Sequence, residues 1–95
     1  MLNFVKKIVN RKEIKHLLSS RESFIETKNY YDNKIKRYNK EIIELQNSSS
    51  KTNYKTISTE IKMYIDILQI AIEESERLEH LIDEIDRKLV SLGYN

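Results

Sequence analysis

From Tyr54 onward, alternating steps of three and four residues pass through Tyr54, Ile57, Ile61, Tyr64, Leu68, Ala71, Ser75, Leu78, Ile82, Ile85, Leu89 and Leu92, and eleven of these twelve positions are apolar. The same steps from Ile14 give Ile14, Leu17, Arg21, Phe24, Lys28, Tyr31, Ile35, Tyr38, Ile42 and Leu45, with eight of ten apolar. An apolar residue about every 3.5 positions over more than three heptads commits a chain to helices packed along a narrow seam. The rest of the chain agrees. It has no proline and one glycine, Gly93, so it lacks the turn formers that sheets and loop-rich folds need.

Between the two runs lies "QNSSSKTN", a polar stretch rich in turn formers. Helices joined by a short connection run antiparallel. The fold class is therefore all-α, a long antiparallel helical hairpin of coiled-coil type, within one domain spanning residues 1–95. Its expected parts are a short amphipathic helix over 1–10, a long helix over 11–46, a loop over 47–53 and a long helix over 54–92. Gly93 follows the last seam residue, where a left-handed C-cap belongs. At Ser19 and Glu22 the sequence matches a capping box, but the seam keeps its phase there, so one continuous helix is expected. Folding the chain between residues 49 and 50 sets Ile14 opposite Ile85, Leu17 opposite Ile82, Arg21 opposite Leu78 and Phe24 opposite Ser75. Further along, Lys28 faces Ala71, Tyr31 faces Leu68, Ile35 faces Tyr64, Tyr38 faces Ile61, Ile42 faces Ile57 and Leu45 faces Tyr54. Small Ser75 and Ala71 then sit against long Phe24 and Lys28, as close packing requires.

Net charge is +2, but it is unevenly divided. Residues 1–56 hold thirteen Lys/Arg and six Asp/Glu, whereas residues 57–95 hold four and nine. Such a split can mark a nucleic-acid-binding arm. A hairpin explains it more simply, because it lays the basic half beside the acidic half.

Catalysis is not expected. The stretch "ESERLEHLIDEIDRKL", Glu74 to Leu89, carries six carboxylates and His80. With Leu78 and Ile82 on the seam, His80 falls at the heptad position farthest from it, and Glu76, Asp83 and Glu84 also face solvent. Carboxylate metal sites in helical bundles use inward-pointing residues with Glu-x-x-His spacing. Here Arg77 stands three residues before His80. An exposed carboxylate also lacks the burial or neighbour that perturbs a catalytic pKa. His16 is placed on an exposed face as well. Ser48, Ser49 and Ser50 lack a neighbouring base and are read as turn residues. There is no cysteine, no Gly-rich phosphate loop and no candidate metal or cofactor site. The cysteine count favours a reducing compartment, hence a cytoplasmic location. The apolar runs are far shorter than the ~20 residues that span a bilayer.

Several apolar residues remain after the seam is filled. Leu18, Ile25, Ile65 and Ile72 occupy heptad positions e along one flank, Ile67 and Leu81 lie on the other, and Met63 and Ile70 fall at c. Between Ile61 and Ile72 the second helix is apolar almost all round, so a second surface should cover it. One candidate cover is the N-terminal segment with Leu2, Phe4, Val5, Ile8 and Val9. Its pattern leaves the heptad near Asn10, because continuing the phase backward would put Asn3, Lys7 and Asn10 on the seam. Folded back over Leu18, Ile25 and Ile72, it would make a three-helix arrangement. The other candidate is a second chain, which would make a homodimeric four-helix bundle.

The leading expectation is a non-catalytic protein–protein interaction module. It would be a small helical adaptor, chaperone or inhibitor, binding a protein partner or a second copy through Leu18, Ile25, Ile65 and Ile72. The abundance of Lys, Asn and Ile and the small size suit a gene from a virus or mobile element. The alternative is nucleic-acid binding by a basic tip made of Lys34, Lys36, Arg37, Lys40, Lys51 and Lys55, since "YYDNKIKRYNK" interleaves aromatics with cations. A membrane partner, reached through residues 2–12, is disfavoured because the apolar face is short.

Overall fold

The computed structural model describes residues 2–48 and 54–94. Three helices follow one another: α1 (Leu2–Val9), α2 (Arg11–Ser48) and α3 (Tyr54–Ser91). The two long helices pack against each other as an antiparallel hairpin, as the heptads require. The second helix runs on through Asn47 and Ser48, two residues past its expected end. Ser49, Ser50 and Lys51 and the side chain of Tyr54 lie outside the described residues.

The chain divides into two compact units, Met1–Lys28 with Arg77–Asn95 and Asn29–Glu76. In the first unit, Ile14, Leu17, Ile85 and Leu89 form the buried cluster, and Leu18, Phe24, Leu92 and Tyr94 pack against it. Burying such side chains contributes roughly 1.5–3 kcal/mol each. Arg21 donates from Nε to Asp86 Oδ1 at 2.6 Å. Lys88 Nζ lies 3.8 Å from Glu13 Oε1, with both side chains well exposed. In the second unit Ile57, Leu68, Ala71 and Ser75 are buried. Tyr38 meets Tyr64 with ring centroids 5.4 Å apart, and Ser75 Oγ donates to Asp32 Oδ1 at 2.6 Å.

Ile14 and Ile85 share one cluster as expected, but other pairs depart from the expected register. Tyr38 meets Tyr64, three residues beyond Ile61, and Leu89 joins Ile14 and Leu17 in a cluster expected to hold Ile82. Phe24 packs on that cluster, and Ser75 bonds Asp32 instead of making room for Phe24. Every such departure moves the contact along α3 away from the connection. Two causes act together. α2 ends at Ser48 and α3 begins at Tyr54, so the midpoint between the two helix ends lies later in the chain than residues 49–50. Side chains also lean toward the N-terminus of their own helix, which in an antiparallel pair displaces touching residues in this same direction.

The C-terminal end of α3 is capped as its glycine suggests. Gly93 has φ 91°, a left-handed conformation that costs glycine no Cβ clash. Tyr94 N–H donates to Leu89 C=O at 3.0 Å and Gly93 N–H to Val90 C=O at 3.0 Å. That bond pair is the Schellman pattern, and the packing of Tyr94 on the cluster containing Leu89 supplies its apolar contact.

At the other end, the break in heptad phase near Asn10 is not a break in the helical winding. Asn10 N–H donates to Lys6 C=O and Ile14 N–H to Asn10 C=O, each at 2.9 Å. With about 3.6 residues per turn, this continuity carries Phe4, Val5, Ile8 and Val9 off the Ile14–Leu17 seam, although Phe4 and Ile8 still line one groove with Lys7, Arg11 and Ile14. Lys7 takes the inner side instead, its Nζ 5.3 Å from the centroid of the Tyr94 ring. The N-terminal helix therefore does not fold back as a cover: Phe4, Val5, Ile8 and Val9 stay 54–76% exposed.

Candidate interaction surface

The four residues expected to form one apolar flank divide between the two units. In the first, Leu18 and Ile25 are half-buried. Leu18 packs on the core cluster and lines a shallow groove with Arg21, Asp86, Leu89, Val90 and Tyr94. The Arg21 guanidinium is held above its ordinary pKa chiefly by the hydrogen bond to Asp86, with burial opposing. Part of the apolar surplus in this unit is thus consumed by its own packing.

In the second unit the surplus stays outside. Ile65 is 49% exposed and Ile72 41%, and Met63 and Ile70 are more open still at 59% and 63%. The seven-residue spacing of Ile65 and Ile72 puts them on one strip of α3. Met63 and Ile70 share the same spacing on another strip, where half-buried Ile67 joins them. Met63 and Ile67 also line a groove with Glu60 and Tyr64. The sequence pattern placed Met63 and Ile70 at c, a position assumed to be wet, and so left them out of the candidate set. Their apolar character one heptad apart was the available signal.

Within the basic set, Lys36, Lys40 and Lys55 are exposed, and Lys51 lies outside the described residues. Lys34 stands over the ring of Tyr30, Nζ to centroid 5.7 Å, and Arg37 over that of Tyr38 at 5.0 Å. Tyr30 is 59% exposed and sits edge-on to Tyr31 with ring centroids 5.2 Å apart. With Asn33, the three residues Tyr30, Lys34 and Arg37 line one groove. This is a cation-framed aromatic face built on two turns of α2.

Glu76, His80, Asp83 and Glu84 are all exposed on α3, and His16 is exposed on α2. Among the described residues no group of three or more His, Asp or Glu side chains is arranged to hold a metal ion. Among them, too, no helix is long and apolar enough to cross a membrane. No family model, curated protein or solved structure matches the chain.

Proposed function

We propose that this chain is a non-catalytic interaction module, a small helical adaptor, chaperone or inhibitor that binds another protein or a second copy of itself through α3. One observation supports this above the rest: Met63, Ile65, Ile70 and Ile72 all keep between 41% and 63% of their surface exposed within ten residues of one helix. Isolated exposed apolar residues are ordinary, whereas a strip repeated one heptad apart, Ile65 with Ile72 or Met63 with Ile70 on a different side of α3, marks an interaction surface. Apolar side chains at helical spacing are also what a helix offers to a partner helix or groove. The test compares Ile65→Glu with Ile72→Glu, and separately Met63→Glu with Ile70→Glu. Sedimentation equilibrium reads self-association, and binding to a captured and then purified partner is measured directly. The reading requires at least one pair to reduce assembly or partner affinity while circular dichroism stays unchanged. If both double variants keep full assembly and affinity, α3 is not the interface.

A second reading, nucleic-acid binding, is favoured by Tyr30, an open ring with Lys34 over it and Arg37 in the same groove. Stacking on such a ring contributes about 1–3 kcal/mol per base, and phosphate contacts by the cations make binding salt-dependent. Tyr30→Ala should then weaken retention of single-stranded RNA or DNA roughly tenfold or more. Binding that ignores both Tyr30→Ala and salt sinks this second reading.

A further inference from the structure

The outward face of α1 has a composition that the α3 reading does not use. Phe4, Val5, Ile8 and Val9 are 65%, 54%, 58% and 76% exposed. At about 100° per residue they share one arc of the helix, with Lys6 bordering it on one side and Arg11 on the other. Residues 1–12 contain Lys6, Lys7, Arg11 and Lys12 and no acidic residue. We propose that α1 is a peripheral membrane contact, lying in the headgroup region of an anionic lipid bilayer with its Phe4–Ile8 face toward the acyl chains. Apolar residues on one arc and cations at its edges are the pattern of helices that rest in that plane. Cations at the borders reach lipid phosphates while their methylene stems stay among apolar groups.

Charge chooses this occupant over a second copy of the chain. Pairing two α1 faces would bring two sets of Lys6, Arg11 and Lys12 into one short contact, with no carboxylate before Glu13 on either side. An anionic bilayer answers the same cations with opposite charge. The shortness of the helix sets the strength. Eight residues insert little apolar area, so attachment is reversible and needs the electrostatic part as well. The face is available because these four side chains stay more than half exposed, with Phe4 and Ile8 at the edge of a groove that also touches Ile14.

The experiment is flotation of the full chain with phosphatidylcholine vesicles containing one third phosphatidylglycerol, against vesicles of phosphatidylcholine alone. The chain is expected to float with the first, to stay behind with the second, and to be released by high salt. Phe4→Ser with Ile8→Ser should abolish flotation at unchanged helical content. Lys6→Glu with Arg11→Glu should lower the partition by at least about fivefold for each cation removed. Ile65→Glu with Ile72→Glu should leave flotation as it was, which separates this inference from the α3 reading. No flotation on anionic vesicles overturns the proposal, as does flotation that survives the Phe4 and Ile8 substitutions or is lost on substituting Ile65 and Ile72. So does sedimentation showing that Phe4 and Ile8 hold a lipid-free dimer, since the face would then belong to a second copy.

Discussion

Ser75 donates a 2.6 Å hydrogen bond to the carboxylate of Asp32, so this polar residue buried on the α3 seam is an anchor and not a gap. A buried hydroxyl bonded to a carboxylate ties one position of α3 to one position of α2. Ser75→Ala should cost about 1 kcal/mol, because it removes the bond while changing little volume. Ser75→Leu, which an ideal heptad would prefer, should cost about 1–3 kcal/mol by crowding a site 7% exposed. Urea unfolding measures both. A leucine variant more stable than the parent would show that Ser75 was a packing defect after all.

The tilted ring pair of Tyr38 and Tyr64 gives a direct check on register. Cysteines replacing Tyr38 and Tyr64 should oxidise to a disulfide within one chain more readily than cysteines replacing Tyr38 and Ile61, because bridging needs close and convergent Cβ atoms. Mass spectrometry of the oxidised, unreduced chain distinguishes the outcomes. Preference for the Ile61 pair would restore the fold point between residues 49 and 50.

That register is where sequence reasoning reached its limit. The seam residues Ile14, Leu17, Leu68, Ala71, Leu78, Ile82, Ile85 and Leu89 were all legible from the heptads, and all are buried. A slide of one helical turn, however, maps seam positions onto seam positions. The pattern that identifies the helices therefore says nothing about which turn meets which. Only the end of α2 at Ser48 and the lean of the side chains resolve it. The surfaces were unevenly legible for a similar reason. Ile65 and Ile72 stood out as surplus, but the outward turn of Phe4 and Ile8 depends on winding that continues through Asn10. A broken heptad looks the same in sequence whether or not the helix itself breaks.

At the far end of α3, Gly93→Ala should destabilise the chain by about 1–2 kcal/mol, since alanine at φ 91° meets the left-handed steric penalty. Gly93→Asn should cost less, because asparagine tolerates that conformation. Thermal melts of the two variants test the order. Equal and negligible shifts would mean that the Tyr94 and Gly93 bonds to α3 contribute nothing to stability.

The Arg21–Asp86 pair is short, but its side chains are 37% and 45% exposed, so solvent screens it. A double-mutant cycle with Arg21→Ala and Asp86→Ala should give a coupling of about 0.2–1 kcal/mol, falling with added salt. Because the pKa of Arg21 is raised, its contribution is fully present below the ordinary arginine range. It would be lost only as pH rises through the folded value. On the Arg21 side, salt is therefore the informative variable, and pH near neutrality is not. A coupling well above this range would show that the pair is more shielded than its exposure implies.

Leu68 and Ile72 stand four residues apart on α3, one 8% exposed and the other 41%. If the apolar surplus of this helix serves a partner, the two must respond differently to the same truncation. Leu68→Ala removes a core side chain and leaves a cavity, so it should cost about 2–5 kcal/mol in the isolated chain. Ile72→Ala removes a side chain that already meets water, and its cost should stay near 0.5 kcal/mol, as at other surface positions. Urea unfolding at a concentration where the chain is monomeric gives both numbers. Repeating the measurement where it self-associates, or with a bound partner, should widen the effect of Ile72→Ala through the added binding free energy. A large Ile72→Ala penalty in the monomer would mean that the chain itself covers this position, and the strip of Ile65 and Ile72 would then be core.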